Sequence, residues 1–473
     1  MASDEKIPSY AEIGYDSSLD LFQVPVTNTG VTDVKYVTHK PKNQFSAEGS
    51  VKFYVPGAGQ WYLDLTEMYV KTVVRITRSD GSLLPKPPVS VGRDKRSVAE
   101  GDSGDTTSKS AGDTVSKSSG DEGLWSCGPC NHLAHSLFSQ VEIRLNDVAL
   151  FAGQSSYSYM AYFNALLGAS NDSELECSMF VKDTAGCHDD LSLSLGSNDG
   201  FIRRAELMQG SKYVELWAKL DLGILKQRKY LLNSINLDIT LLPSSNAFRL
   251  MTSNKDIIDY VVDMKDISLV IKQVLPANPV LVAHQDIMQN KLSMAKYFFV
   301  DQQLRKFSLP QGTSSFYAED AFCGKIPRDI TLAFVSAEAL GGSIHRNPYN
   351  LKTYGCDYIG VTLNGVPAPA GALRFDFAEG SYVRSYAELY NGRPNVSDKS
   401  RIGLHEFPNG YSLFVINLSP QNNGEEHYPS IRQGNVRLEV TFSSPLPESV
   451  IMLARVTYPG LFSVDHARNV YLS

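Results

Sequence analysis

A strand hairpin followed by a helix occurs twice in this chain, and that duplication limits the possible folds more than any other feature. Residues 136–168 read SLFSQVEIRLNDVALFAGQSSYSYMAYFNALLG. Val141, Ile143 and Leu145 alternate with Glu142 and Arg144, the period of two expected of a strand with one wet face. Asn146-Asp147 supplies a tight turn, because both residue types tolerate positive φ. Residues 148–151 predict the returning strand. Tyr159, Phe163, Leu166 and Leu167 then recur at helical spacing and Gly168 comes next, which predicts an amphipathic helix with a glycine stop.

The second copy lies in residues 358–392, with YIGVTLNGVPAPAG and then SYVRSYAELYNG. Val361, Leu363, Asn364 and Val366 match Ile143, Leu145, Asn146 and Val148 at an offset of 218, and Ser381-Tyr382 matches Ser158-Tyr159 at 223, so five residues are added between them. Asn364-Gly365 is the stronger turn, since glycine takes positive φ without strain. The segments C-terminal to the two modules repeat as well. KYVELWAKLDL (212–222) corresponds to GYSLFVINLS (410–419). Ile235, Leu237, Ile239 and Leu241 alternate with polar residues, as do Val436, Leu438, Val440 and Phe442, and a Ser/Pro turn ends both runs. Each half therefore carries hairpin, helix, long loop, two alternating strands and a turn. Many short strands between turns predict antiparallel sandwiches. Eight-stranded jelly rolls fit the strand count, the internal helix and the long excursions better than immunoglobulin sandwiches. The expected fold is all-β with a few short helices: two tandem eight-stranded jelly rolls.

At 473 residues the chain exceeds one ordinary core. The expected division is an N-terminal arm (1–45), a first jelly roll (46–262) and a second (263–473). Further strands are expected over 51–55, 61–76, 267–271, 297–309, 330–335 and 450–458. Asn278-Pro279 opens a helix running to about residue 290. The near-repeat SGDTTSK, SAGDTVSK, SSGDEG marks 79–123 as a mobile surface insertion in the first jelly roll, since it holds too little apolar surface to offset its ordering entropy.

Hydrophobic content of 42% and charged content of 20% indicate a folded chain, and 24 Tyr and 21 Phe suit sheets. A formal charge of −7 gives no support for whole-surface nucleic-acid binding. No apolar run approaches the roughly 20 residues that span a bilayer, so no membrane span is expected. The first residues lack the apolar core of a signal peptide, so synthesis in the cytosol is expected. Six scattered cysteines fit reduced thiols better than a disulfide framework.

Candidate chemistry centres on Cys127-Gly128-Pro129-Cys130. A CxxC at a helix N-terminus lowers one thiol pKa and supports disulfide exchange. That chemistry needs a strand just before the motif in a βαβ setting, and here a Ser/Gly/Asp-rich stretch precedes it. A junction between loop and short helix is the preferred reading. Cys127, Cys130, His132 and His135 crowd together as zinc ligands would, but a second ligand pair is missing unless Cys177, Cys187 and His188 supply it. The sequence lacks a P-loop, GxSxG, HExxH, or GxGxxG in a strand–helix setting. No catalytic, cofactor-binding or metal residue is assigned, and no enzymatic activity or cofactor is expected.

The segments SLDLFQVPVTNTGV, FVKDTAG, GSKYVELWAKL, RKYLLNSINLDITL and NGYSLFVINLSP, the first hairpin–helix stretch, and the ending VDHARNVYL together resemble one family in their order. It is the double jelly-roll major capsid proteins of eukaryotic DNA viruses, closest to the hexon-like proteins of Polinton/Maverick elements and adintoviruses. The resemblance covers nearly the whole chain except 79–123. It implies a homotrimer forming a pseudo-hexagonal capsomer that tiles an icosahedral shell around double-stranded DNA. It also implies a virion location and contacts with neighbouring capsomers, penton and minor capsid proteins, without strong direct nucleic-acid binding. Function would then lie in interfaces. The alternatives are a jelly-roll carbohydrate-binding protein of the lectin type and a host protein domesticated from an integrated viral element.

Overall fold

The computed structural model describes residues 28–43, 49–57, 59–85, 126–151, 153, 156–168, 170–194, 196–255, 259–290, 293–369, 371–390, 400–419 and 430–472. Residues 1–27 of the expected arm, and residues 86–123 of the expected insertion, lie outside them.

Among the described residues, ten strands precede residue 277: β1 (Val31–His39), β2 (Val51–Val55), β3 (Tyr62–Arg78), β4 (Cys127–Pro129), β5 (Phe138–Leu145), β6 (Val148–Phe151), β7 (Val214–Lys219), β8 (Leu237–Pro243), β9 (Leu250–Thr252) and β10 (Tyr260–Pro276). Ten come after it: β11 (Ala295–Leu309), β12 (Ser315–Lys325), β13 (Asp329–Ser336), β14 (Cys356–Leu363), β15 (Val366–Pro367), β16 (Leu373–Arg374), β17 (Phe414–Asn417), β18 (Gln433–Phe442), β19 (Val450–Val464) and β20 (Val470–Leu472).

The first set forms two four-stranded sheets in the orders β1-β10-β3-β7 and β2-β8-β5-β6, while β4 and β9 pair separately. The second set forms β11-β19-β13-β17 and β12-β18-β14-β15, extended by β20 and β16. Setting those extra strands aside, both halves read first-eighth-third-sixth in one sheet and second-seventh-fourth-fifth in the other. That is one jelly-roll topology used twice. Neighbouring strands within these sheets run antiparallel, as β3 and β10 do over Tyr62–Arg78.

The strands form where the side-chain period predicts. Val141, Ile143 and Leu145 on β5, Ile239 and Leu241 on β8, and Val436, Leu438 and Val440 on β18 are all buried. The hairpin turns adopt the predicted handedness, with φ of 43° and 69° at Asn146 and Asp147 and of 49° and 82° at Asn364 and Gly365. The duplicated asparagine has a specific task. The Asn146 side chain accepts a hydrogen bond from the Asn236 N–H at 2.8 Å. The Asn364 side chain accepts one from the Asn435 N–H at the same distance. In each half the turn is thereby tied to the start of the neighbouring strand, so the Asn serves both φ and the register.

Two features differ from expectation. The strand expected at 267–271 is part of β10, which lies between β1 and β3 in the first half's sheet. The position 262/263, expected to divide the halves, thus falls inside one continuous strand, and β1 falls within the expected arm. The helix Tyr157–Leu166 also differs: it is buried on every side, not amphipathic in its environment. Its counterpart Val383–Glu388 buries only Ser385. The first helix is enclosed because the second half packs against it. The helix Asn278–Asn290 joins the halves. Among the described residues, no helix is long and apolar enough to cross a membrane.

Candidate functional site

The CxxC is the sharpest local motif, and its surroundings give it a structural role. Cys127, Gly128 and Pro129 form β4 and pair with Thr252, Met251 and Leu250 of β9. The thiols therefore start in a strand, not at a helix N-terminus, and the next helix, Leu133–Ser136, is a single turn. A Cβ on Gly128 would stand 2.7 Å from the Ala205 Cβ and 2.8 Å from the Phe201 ring, so this glycine allows the helix Asp199–Leu207 to approach closely. Cys127 and Cys130 are both buried and reduced. Burial pushes the Cys127 thiol far up, and raises that of Cys130 to about 11 despite opposing help from Ser136 and Arg204. A redox-active thiol needs the opposite shift. In the native protein a thiol reagent is therefore expected to modify the exposed Cys177 and Cys323 first. Cys127, Cys130 and Cys356 should be labelled only after denaturation; labelling of Cys127 or Cys130 in the folded protein, read by peptide mass spectrometry, would contradict this placement.

His132 and His135 lie with ring centroids 4.1 Å apart. The His135 Nδ1 is 2.7 Å from the Tyr157 hydroxyl. Burial holds the His132 imidazole well below its usual value, with the neighbouring His135 adding to the effect. Burial likewise lowers His135 to about 4, against an opposing pull from Asp221. Both are neutral at pH 7. His188 packs edge-on against Tyr411 in a different cluster. Among the described residues, no three His, Cys, Asp or Glu side chains gather as a metal site.

The most heavily built polar cluster has no signal in the sequence: it is the seam between the halves. Its centre is Arg204–Asp183, both side chains fully buried, with Arg204 Nη2 at 2.8 Å from Asp183 Oδ1. Arg204 also donates to the Val181 carbonyl at 2.5 Å and the Pro129 carbonyl at 3.3 Å. Asn198 donates to Asp183 Oδ1 at 3.0 Å while its own carbonyl oxygen caps the helix Asp199–Leu207. From the second half, Asn347 donates to Asp183 Oδ2 at 3.1 Å and to the His188 carbonyl at 3.2 Å. The Tyr411 hydroxyl donates to the Asp183 carbonyl at 2.6 Å. Burial alone would raise the Asp183 carboxyl, but Arg204, His188 and the hydrogen bond from Asn198 hold it below its ordinary value.

Around this centre more polar pairs cross the seam. Asp189 accepts from the Asn347 N–H at 2.9 Å and the Asn350 side chain at 2.7 Å. Lys182 pairs with Glu406 and donates to the Arg401 carbonyl. On the helix Tyr157–Leu166, Tyr159 donates to the Pro348 carbonyl at 2.9 Å, and Tyr162 stacks on Tyr349 with centroids 4.0 Å apart. Such a stack contributes about 0.5–1.5 kcal/mol beyond area burial. Asn164, on the same helix, donates to Gln302 at 3.0 Å and accepts from the buried Arg455 of β19 at 2.5 Å. A Cβ on Gly223 would meet the Val300 carbonyl oxygen of β11 at 1.7 Å, so backbone from the two halves is in direct contact there. Buried charge pairs satisfied on all sides fix geometry more than they add stability. The seam joins the two sandwiches through buried side-chain and backbone contacts.

These features, two copies of one jelly-roll topology locked along a polar seam, define the double jelly-roll fold. Solved structures similar to this chain share it. A chain of the Sputnik virophage matches with a TM-score of 0.63 at 13% identity, covering 100% of this chain and 94% of that one. A chain of the PBCV-1 virus capsid matches with a TM-score of 0.56 at 9% identity, covering 96% and 99%. The Faustovirus major capsid protein matches with a TM-score of 0.52 at 11% identity, covering 94% and 93%. The chain thus has the fold of double jelly-roll viral major capsid proteins. In sequence it is similar to an uncharacterized protein of Caenorhabditis elegans, 25% identical over 456 residues that span 94% of this chain and 98% of the relative. No family model matches.

Proposed function

We propose that this chain is the major capsid protein of a DNA virus or virus-like element. Three copies form a pseudo-hexagonal capsomer, and capsomers tile an icosahedral shell around double-stranded DNA. The observation that carries this reading is the side-by-side union of two sandwiches with identical strand order, a fold shared over 94% of the Sputnik virophage chain and 99% of the PBCV-1 capsid chain. Two equivalent units per chain give a trimer six similar edges, which is what a hexagonal tile needs. Buried, raised thiols and neutral histidines fit a chain whose work lies in interfaces and not in catalysis. The partners are then two further copies, neighbouring capsomers, and penton and minor capsid proteins.

Expression, light scattering and negative-stain microscopy test it. The expected particle is a trimer of three times 52.1 kDa, or closed shells. A stable monomer that binds glycans would instead favour the lectin-type reading. The acidic balance of the chain predicts weak DNA affinity, and tight salt-dependent DNA binding by the trimer counts against that part. The nematode relative favours a second reading, a host protein domesticated from an integrated element. Shells lacking DNA in animal cells would support it.

A further inference from the structure

A cavity of about 600 Å³ opens where the two halves meet the helix that joins them. Its floor is Tyr62 and Leu232 from the first half and Tyr297 from the second, all buried. One wall is the helix Asn278–Asn290, which contributes Val280, Ile287 and Met288. The floor and wall are fixed by their own contacts. The Tyr297 ring stacks on Phe462 with centroids 4.6 Å apart. Its hydroxyl accepts from the Leu232 N–H and donates to the Tyr230 carbonyl, each at 3.2 Å. The Tyr62 hydroxyl lies 3.1 Å from His284 Nδ1, with the two rings stacked. Small-molecule sites are of this kind: preformed concavities of roughly 300–1,000 Å³, mostly apolar, with a few placed polar groups. Met288 and Met294 in the lining can adjust to a flexible chain.

The charge around the cavity has one sign. Among the described residues that line it, Arg228, Lys229 and Lys296 are basic and none is acidic, in a chain whose formal charge is −7. All three are exposed and so form the rim. Lys229 donates to the Lys296 carbonyl at 3.0 Å, which places its ammonium at the mouth and uses one of that group's three donors. A fourth cation lies next to the floor. Arg468 donates to the Asn233 carbonyl at 2.9 Å and to the Asn233 side chain at 2.8 Å, and its Nη1 is 3.6 Å from the Met288 sulfur. Burial raises the Tyr62 and Tyr297 hydroxyls and the Arg468 charge opposes that rise, so its field reaches the floor. A concave apolar wall concentrates such a field. Ile287 is 39% exposed and Met294 44%, so the apolar lining is open to a molecule arriving from solvent.

We propose that this cavity binds a single-chain anionic amphiphile, a long-chain carboxylate. Its hydrocarbon tail lies on Tyr62 and Tyr297 against Ile287 and Met288, and its head group meets Lys229 and Lys296 at the rim. An uncharged apolar molecule would leave the basic rim unused, and a small polar anion would leave the apolar wall uncovered. Both halves and the joining helix line the cavity, so occupancy adds a tie between the sandwiches to that of the Arg204–Asp183 cluster. The site belongs to a single chain and goes beyond the capsid reading, since it requires neither trimer nor shell.

Titration of the full-length chain with cis-parinaric acid, a fluorescent long-chain carboxylate, tests it. Saturable binding of one probe per chain is expected, reversed by dodecanoate. Dodecanol should compete about tenfold less well, the ratio that one charge-assisted contact supplies. Ile287→Asp puts a carboxylate on the exposed part of the wall and should weaken probe binding at least about tenfold while the ligand-free thermal midpoint stays unchanged. Lys296→Glu, at the rim, should lower the affinity for dodecanoate and leave that for dodecanol as it was. Dodecanoate should also raise the thermal midpoint of the parent chain, because it binds the folded state alone. Absence of saturable binding, or equal competition by dodecanoate and dodecanol, would overturn the proposal. Binding that survives both substitutions would overturn it too, by locating the probe elsewhere on the surface.

Discussion

Arg204→Met is expected to lower stability by about 3–5 kcal/mol, the cost of leaving a buried carboxylate without its counter-ion. For a folding unit of this size each kcal/mol moves the thermal midpoint by about 2–4 °C, so a fall of roughly 10 °C is anticipated in a scanning-fluorimetry trace. Methionine fills much of the arginine's volume, so the loss is electrostatic and not a cavity effect. Asp183 sits fully buried between Arg204, Asn198 and Asn347. Without Arg204 it must either take up a proton or remain charged in a low-dielectric site, and each option costs free energy at pH 7. Adding Asp183→Asn to Arg204→Met removes the orphaned charge while keeping the approximate shape. The double variant should therefore regain part of the loss, the coupling that a double-mutant cycle isolates. Hydrogen exchange should rise at 181–190 and 345–352, on the two sides of the seam, before it rises in β14 and β18. A single variant that unfolds within 1 kcal/mol of the parent would show that the pair is not the seam's keystone.

The same pair marks the limit of what a linear sequence displays. Strand identity was legible wherever one face is buried: Val141, Ile143 and Leu145 alternate in the chain because they alternate against the core. The Asn146 and Asn364 turns were legible because φ preference is local. Partner choice was not. The period of Ile267, Leu269 and Ile271 marks a strand but cannot say that it pairs with Thr72, Val70 and Met68 two hundred residues earlier. β12 escaped because its register shifts between Ala318 and Phe322, so SFYAEDAFCGK never shows a clean alternation. β1 escaped as an edge strand, with Val34 and Tyr36 exposed. The seam was the least legible part. Asp183 and Asn347 are separated by 164 residues, and a polar residue that will be buried looks in sequence like one that will be wet. The crowded cysteines and histidines stand out in the sequence instead, since spacing motifs are local and the seam is not.

Those histidines carry the second large expected effect, a loss of stability as pH falls from about 6.5 to about 4. An unfolded imidazole titrates near 6.5, while burial brings His135 in the folded chain to about 4 and His132 well below its usual value. Between those limits the unfolded state binds more protons, so stability drops as the solution is acidified. For His135 alone the full drop is about 3 kcal/mol once the pH is below 4. His132 adds to it with the same sign. The groups around them do not cancel the effect. Asp221 favours protonation of His135, but Lys226 opposes it and is itself paired with Asp221. His132 faces His135, whose charge opposes a second one, and packs edge-on with the Phe180 ring in a fully buried site. A cavity of about 360 Å³ lined by both imidazoles and Asp221 gives protons a route inward. Carboxylates held below their ordinary range, Glu406, Glu448 and Asp183, lose their contribution only at lower pH. The stretch between pH 6.5 and 4.5 is therefore a histidine signature. Urea midpoints measured across it should fall steeply for the parent chain and less steeply for His132→Asn with His135→Gln, amides that keep hydrogen-bonding capacity but cannot titrate; a residual slope remains from His188 and His39, which burial also lowers. If the variant follows the parent's slope, the acid sensitivity arises elsewhere and the buried pair is electrostatically silent.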